Sequence, residues 1–392
     1  MLTKLLDFII SQLKIKKIFN LKKQWPSLVT ASFIIILLLL ANPYEADSPT
    51  TSVRVKATIL DVDNQNIHVS GLIKTGDQEC HIQISSGKYK GMEYDATNLL
   101  IGKLEIDKLF EIGDQALVVI DLVDDQVTGV SLIDHYRLGD EVFLALALAL
   151  VLILFAGAIG IRALLSFLFT ILMIWKVLLP SFIAGLNPII VAMLVVIVLT
   201  SVIIVLVFGF DRRAMAAISG SLLGSMVTCI MALIFVNRFQ IHGAVMPYSE
   251  SLLYAGYGNL NLTAIFTASI FIASAGALMD LAVDITSSIH ELTQNRPDLG
   301  VKAVMQSGFN VGRSVIGTMT TTLLLAYSGG FIGLMMVFMA QGTPLINILN
   351  LKYIASEILH TLVGSFGLVT VAPFTALTGA IFMANKENLK EE

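Results

Sequence analysis

The chain has 392 residues, of which 56% are hydrophobic types and only 14% are charged, and its mean hydropathy is +0.81. A soluble domain carries about 25% charged residues, so this composition excludes a soluble globular enzyme, a disordered chain and a fibrous repeat, and points to a polytopic membrane protein. The net charge of −4 hides three unlike regions: residues 1–24 carry six lysines and one aspartate, residues 45–140 carry 8 basic and 17 acidic groups, and residues 141–392 carry 11 of each sign. No basic patch with interleaved aromatics is present, and the acidic middle region would repel nucleic acid.

Taken in chain order, residues 1–26 read as a basic cytoplasmic segment and 27–43 as a transmembrane anchor over the apolar run Ser27–Asn42. A cleaved signal peptide is disfavoured, because the leader is long and no A-x-A site closely follows the apolar run. Residues 44–138 read as an extracytoplasmic all-β domain. Alternation of apolar and polar residues marks strands at Val53–Val62, Asn66–Ile73, His81–Ser85 and Asp114–Val123. Turn signals lie at Asp63-Asn64, Thr75-Gly76-Asp77, Ser86-Gly87-Lys88, Gly113-Asp114 and Asp124-Asp125. Five or six short strands in this span suit a small OB-like barrel.

Residues 139–384 then predict seven further membrane helices, since about 20 apolar residues cross the hydrocarbon core. The runs are Glu141–Gly160, Ala163–Leu179, Pro188–Phe208, Ala214–Val236, Leu262–Ser287, Ser314–Ala340 and Tyr353–Ala384. With the anchor this gives an α-helical membrane protein of eight transmembrane helices, and residues 385–392 form a cytoplasmic tail. Lysine and arginine bias in short loops sets the orientation. With the N-terminus inside, fourteen basic residues fall on the inner segments, among them Arg212, Arg213, Arg296, Lys302 and Arg313, against three (Lys176, Arg238 and Lys352) at the outer ends of the spans, the β domain left aside. Both termini are then cytoplasmic.

Ionisable groups inside spans are costly and usually functional, and this chain has few. Asp280 and Asp284 stand at i,i+4 on the sixth span, so they share one helix face. Asp280 lies about 27 Å along its helix from the outer end, in the inner part of the bilayer. Arg313 opens the seventh span from the same side, within reach of either aspartate, and Thr318, Thr320, Thr321 and Thr322 follow it. A protonatable Asp balanced by an Arg and a threonine network would bind and release a proton; a static Asp–Arg clamp between helices is the alternative. Glu357 and His360 share a face near the outer end of the last span, as an outer proton port or an interfacial polar pair. Cys80 and Cys229 lie in unlike regions and read as free thiols. No metal cluster, nucleotide loop, HExxH or GxSxG pattern is present, so neither a cofactor nor an enzyme is expected.

The stretches GALMDLAVDITSSIHEL, SGFNVGRSVIGTMTTTLLLAYSGG and SEILHTLVGSFGLVTVAPFTALTGA resemble the YibE/F-like bacterial membrane proteins, over about Tyr136 to Ala384. The resemblance implies a multi-pass protein of the bacterial plasma membrane and no settled activity. A shorter similarity, in the order of the Asp-bearing span, charged loop and Thr-rich span, links the chain to resistance-nodulation-division transporters and related export accessory proteins. Those use a mid-membrane Asp for proton coupling, at the place of Asp280.

These residues support a membrane transporter or export accessory, proton-coupled through Asp280 with Arg313, Thr320 and Thr321 as switchable partners. The alternative is a non-transporting scaffold or envelope-assembly component that binds a partner through its outer domain. The bilayer is the expected partner, with a second copy or a paired similar membrane protein beside it.

Overall fold

The fold is that of a computed structural model, which describes residues 21–41, 52–123 and 126–384. The turn signal Asp124-Asp125, residues 1–20 and the expected tail 385–392 lie outside the described residues. Two compact units are present: one runs from Ala41 to Leu152 and holds the β domain, and the other joins the first helix to everything from Ile153 onward.

The first unit is a small β-barrel. Its strands are β1 (Ser52–Asp63), β2 (Ile67–Ser70), β3 (Ile73–Ile84), β4 (Glu93–Ile101), β5 (Gln115–Val123) and β6 (Gln126–His135). β1 pairs antiparallel with β5 on one side and β3 on the other, β3 with β4, and β5 with β6; β4 and β6 then meet in parallel at Thr97 and Ser131, which closes the ring. Inward positions alternate along β1, β3 and β5, as the two-residue period of a strand requires: Val55, Ala57 and Ile59, then Cys80, Ile82 and Ile84, then Ala116, Val118 and Ile120 are all buried. The expected turn at Thr75-Gly76-Asp77 is instead strand. Gly76 adopts φ 114°, and a Cβ there would overlap the Asn66 carbonyl, so glycine lets β3 run close under the β1–β2 turn. The chain reverses earlier, at Gly71-Leu72 inside the run Asn66–Ile73 expected as one strand, with Gly71 at φ 63°.

On the barrel surface the His81 ring is held by Asp95, at 2.7 Å from Nδ1, and Glu93, at 3.5 Å from Nε2. The hydrogen bond to Asp95, more than the burial that opposes it, raises the His81 pKa above the ordinary histidine value. A raised histidine contributes stability that is complete below its unfolded pKa and is lost as pH rises through the folded one. An NMR titration of His81 is expected to show a midpoint above that of an exposed histidine, and Asp95→Asn is expected to bring it back down. An unchanged midpoint in the variant would remove Asp95 as the cause.

The helical elements are α1 (Leu21–Leu39), α2 (Leu138–Ala156), α3 (Ala158–Met173), α4 (Leu179–Ile183), α5 (Pro188–Phe208), α6 (Arg212–Arg238), α7 (Ser249–Tyr254), α8 (Leu262–Asn295), α9 (Val301–Ser328), α10 (Ile332–Ala340), α11 (Leu345–Asn350) and α12 (Lys352–Met383). A π-turn at Ile174–Leu178 joins α3 to α4, and a 3₁₀ turn at Gly329–Phe331 joins α9 to α10, so each pair makes one long rod. Among the described residues, seven helices are long and apolar enough to cross a membrane: α2, α3–α4, α5, α6, α8, α9–α10 and α12; the apolar part of α1, Trp25–Leu39, is shorter. Local signals set their starts. Asn187 caps α5 through the N–H groups of Ile189 and Ile190, Asp211 caps α6 through Arg213 and Ala214, and Asn261 caps α8 through Ala264. The expected seventh span begins earlier than its apolar run, at Val301, because the polar first turns of α9 continue the helix below it.

Small residues let the helices of the second unit approach closely, the usual means of packing where lipid removes the hydrophobic drive. α12 runs through the middle. On α6, Gly220, Gly224 and Thr228 meet Thr375, Val371 and Gly367 of α12 in turn. Gly308 and Gly312 of α9 face Ala376 and Ala372, and Gly364 faces Ser274 of α8. Pro373 lies inside α12 without ending it. α1 lays Thr30, Ile34 and Leu37 against α3 and α5, and Trp25 meets the Phe210 ring edge-on at 6.0 Å. One end of this bundle therefore gathers Trp25, the α5–α6 turn and, around a cleft of about 510 Å³, Arg212, Arg296 and the end of α12.

Candidate functional site

α8, α9 and α12 carry every side chain that the sequence singled out. Ser269, Ala273, Gly276, Asp280, Asp284 and Ser287 follow one another on α8 at steps of three and four residues, so they form one strip. The opposite face of α8, with Phe271, Leu278, Leu281 and Ile285, is fully buried. Asp280 and Asp284 are exposed on the surface of the chain, in the strip's lower half. On α9, Asn310, Arg313, Ser314, Gly317, Thr318 and Thr321 are exposed as well. Gly276 and Gly317 have open space where a Cβ would stand.

α8 and α9 are antiparallel neighbours in a definite register. A Cβ at Gly312 would lie 3.4 Å from Ile285 Cδ1, and one at Gly308 2.8 Å from Ile289 Cδ1. That register puts Asp284 level with Arg313, and Asp280 level with Gly317. The aspartates and the arginine nevertheless form no ion pair with each other or, among the described residues, with any other group within 4.0 Å. Level is not the same as facing: Arg313 projects from the exposed side of α9. The threonines are turned inward on their own helix. Thr318, Thr320, Thr321 and Thr322 donate to the carbonyls of Val315, Ile316, Gly317 and Thr318 at 2.8–3.0 Å.

Glu357 and His360 do meet, and in company. His360 Nδ1 lies 3.8 Å from Glu357 Oε2, with both side chains more than four-fifths buried. His360 Nε2 lies 3.3 Å from Ser269 Oγ on α8. The imidazole packs between Phe266, at 5.1 Å, and Tyr327 of α9, at 5.6 Å and nearly parallel. The Tyr327 hydroxyl is buried without a partner. Beside this cluster a largely apolar groove of about 260 Å³ runs between α9–α10 and α12, with Glu357 in its wall. Ser269 heads the same strip of α8 that carries Asp280, eleven residues or about 16 Å further along. The structure thus brings Glu357, His360, Ser269 and Tyr327 together, and does not bring Arg313, Thr320 or Thr321 into contact with Asp280. Ser269 and Tyr327 were not singled out by sequence, where one serine and one tyrosine in apolar helices carry no signal.

Among the described residues, seven membrane-compatible helices and a small barrel near the N-terminus define a multi-pass membrane protein with a β domain. Residues 144–385 match the YibE/F-like protein family, and the chain belongs to that family. No curated protein and no solved structure matches the chain. No match supports the further likeness to resistance-nodulation-division transporters.

Proposed function

We propose that the chain is a membrane transporter or export accessory in which Asp280 takes up and releases a proton. The observation that carries this is a carboxylate within the apolar stretch of α8 that lacks a cation within ion-pair distance. A charge within the hydrocarbon costs about 2.5–3.5 kcal/mol or more, and a carboxylate without a salt bridge sheds that cost by taking a proton. The same strip leads from Asp280 up to the Ser269–His360–Glu357 cluster, a second set of proton-exchanging groups about 16 Å away. Arg313, one helix over and level with Asp284, is the cation whose approach would favour the charged form. Thr320 and Thr321 would serve it by releasing their in-helix bonds.

In this reading the arginine-bearing end of the bundle is cytoplasmic, by the positive-inside bias, in a bacterial plasma membrane. α1 counts as an eighth crossing, both termini are cytoplasmic, and the barrel is extracytoplasmic. Its closed ring, β1–β3–β4–β6–β5 with one parallel join, supports the OB-like description. The exposed Asp280 and Arg313 strips favour a second copy or a similar paired chain beside them, since lipid offers such groups no partner.

The test is proton flux into proteoliposomes containing a trapped pH dye, at matched protein content. Asp280→Asn is expected to fall to the level of empty vesicles and Asp280→Glu to retain flux. Full flux in the Asn variant would sink the proposal and favour a scaffold that docks a partner.

A further inference from the structure

The barrel has two ends, and they differ in chemistry. β4 and β6 run parallel, so Ile101 at the end of β4 and His135 at the end of β6 lie at the same end. The ring of Phe110, in the β4–β5 segment, meets that of His135 at 4.7 Å, which fixes the segment there too. The β2–β3 hairpin projects from this end, since Thr75 pairs with Ile101 and the strands continue beyond it to the Gly71 turn. From this end, two residues after β6, the chain enters α2, an apolar helix with no buried residue.

This end carries apolar side chains that no barrel residue covers. Leu72 at the hairpin tip is 82% exposed, Val69 and Leu104 65%, and Ile106 55%. Leu72, Lys74, Leu104 and Lys108 line one shallow recess of about 180 Å³. Lys103 adjoins Leu104 in the chain. The nearby Asp107 is already engaged: burial works against its charged form, yet N–H donors from Ile101, at 3.0 Å, and Lys103, at 2.8 Å, outweigh it and hold the carboxyl below the usual range. Exposed leucine and isoleucine flanked by Lys74, Lys103 and Lys108, with the acidic Glu105 between Leu104 and Ile106 also exposed, is a composition suited to the headgroup–acyl boundary of a bilayer. A soluble domain would leave so large an apolar tip only for a contact.

We propose that this end of the barrel docks on the bilayer that α2 enters, with Leu72, Val69, Leu104 and Ile106 sunk into the headgroup–acyl boundary and Lys74, Lys103 and Lys108 at the phosphate level. The occupant is lipid. The apolar tip lies at the end of the barrel from which the chain passes into a membrane-compatible helix within two residues, so the bilayer is the surface it meets. The proposal is independent of any proton carried by Asp280.

The full chain in proteoliposomes tests it. Leu72→Cys, carrying an environment-sensitive fluorophore, is compared with Met92→Cys in the β3–β4 loop at the opposite end. The native thiols interfere little, since Cys80 and Cys229 are buried and burial pushes the Cys80 thiol up to about 11. The label at residue 72 is expected to emit at shorter wavelength and to be quenched about twofold or more by lipids spin-labelled just below the headgroup, the depth reached by interfacial side chains. The label at residue 92 is expected to stay unquenched. Leu104→Cys gives a second site, should the hairpin tolerate the label badly. Labels at 72 and 104 that are quenched no more than at 92 would overturn the proposal. So would labels shielded from aqueous iodide but untouched by the lipid quencher, which would mean a protein covers the tip.

Discussion

Replacing Gly220 and Gly224 together with valine is expected to leave no folded membrane core. The α6–α12 contact is built on a step of four residues on both helices, with Gly220 against Thr375, Gly224 against Val371 and Thr228 against Gly367. A Cβ at Gly220 would stand 2.7 Å from Thr375 Cα, and one at Gly224 would stand 2.8 Å from Val371 Cβ. The first obstacle is backbone, which no rotamer relieves. Overpacking costs about 1–3 kcal/mol per site where neighbours yield, and here α12 would have to move away from α6, which also opens its contacts with α8 and α9. The single variants should melt several degrees lower, and the double variant should elute as aggregate in detergent size-exclusion. Gly333→Val on α10 is the control, because a Cβ there meets nothing within 4 Å and the position lies off the Asp280 and Arg313 strips. It should elute and melt as the parent does. A stable double variant would mean that the α6–α12 contact is looser than its glycines imply.

The contrast between these glycines is the part of the molecule least readable from sequence. Apolar run length gave the membrane helices, because continuous hydrophobicity leaves few other structures in lipid. It did not say which face of each helix turns inward, since a span apolar all round has no amphipathic signature. In the barrel, β1 and β5 were legible by alternation. β4 was not, for its inward residues include the small Ala96 and the polar Asn98 while Leu99 and Ile101 point out, which blurs the alternation. Among site residues, Asp280 and Asp284 stood out as charges in an apolar run, and Glu357 and His360 as a spaced pair. Ser269 joins His360 across 91 positions in the chain, and only the helix register shows it. The expected Asp–Arg contact failed for the converse reason: sequence places Arg313 at the right depth, but its rotation about α9 is set by Gly308 and Gly312 packing on α12.

Gln78→Ala is expected to lower the stability of the barrel by about 3–5 kcal/mol, the sum of several orphaned polar groups at about 1–3 kcal/mol each with partial relaxation. Gln78 is fully buried and uses its whole hydrogen-bonding capacity. Its Nε2 donates to Asn64 Oδ1 at 2.8 Å and to the Phe110 carbonyl at 2.9 Å, while its Oε1 accepts from Phe110 N at 3.0 Å and from Asn98 Nδ2 at 3.1 Å. Asn98 in turn donates to the Lys108 carbonyl at 2.7 Å. One amide thus ties the β1–β2 turn, β3 and β4 to the β4–β5 segment, which otherwise has no ladder to hold it. Truncation leaves both backbone groups of Phe110 without partners in a dry interior. Amide exchange at Phe110 should then accelerate by about 10²-fold or more, if local opening loses even 3 kcal/mol. An unchanged rate would show that another group holds the segment. The same segment carries Leu104, Ile106 and Lys108, so the variant also separates two claims. Lipid quenching of a label at residue 104 should weaken while proton flux through Asp280 persists, because the first depends on the shape of the barrel's end and the second on α8.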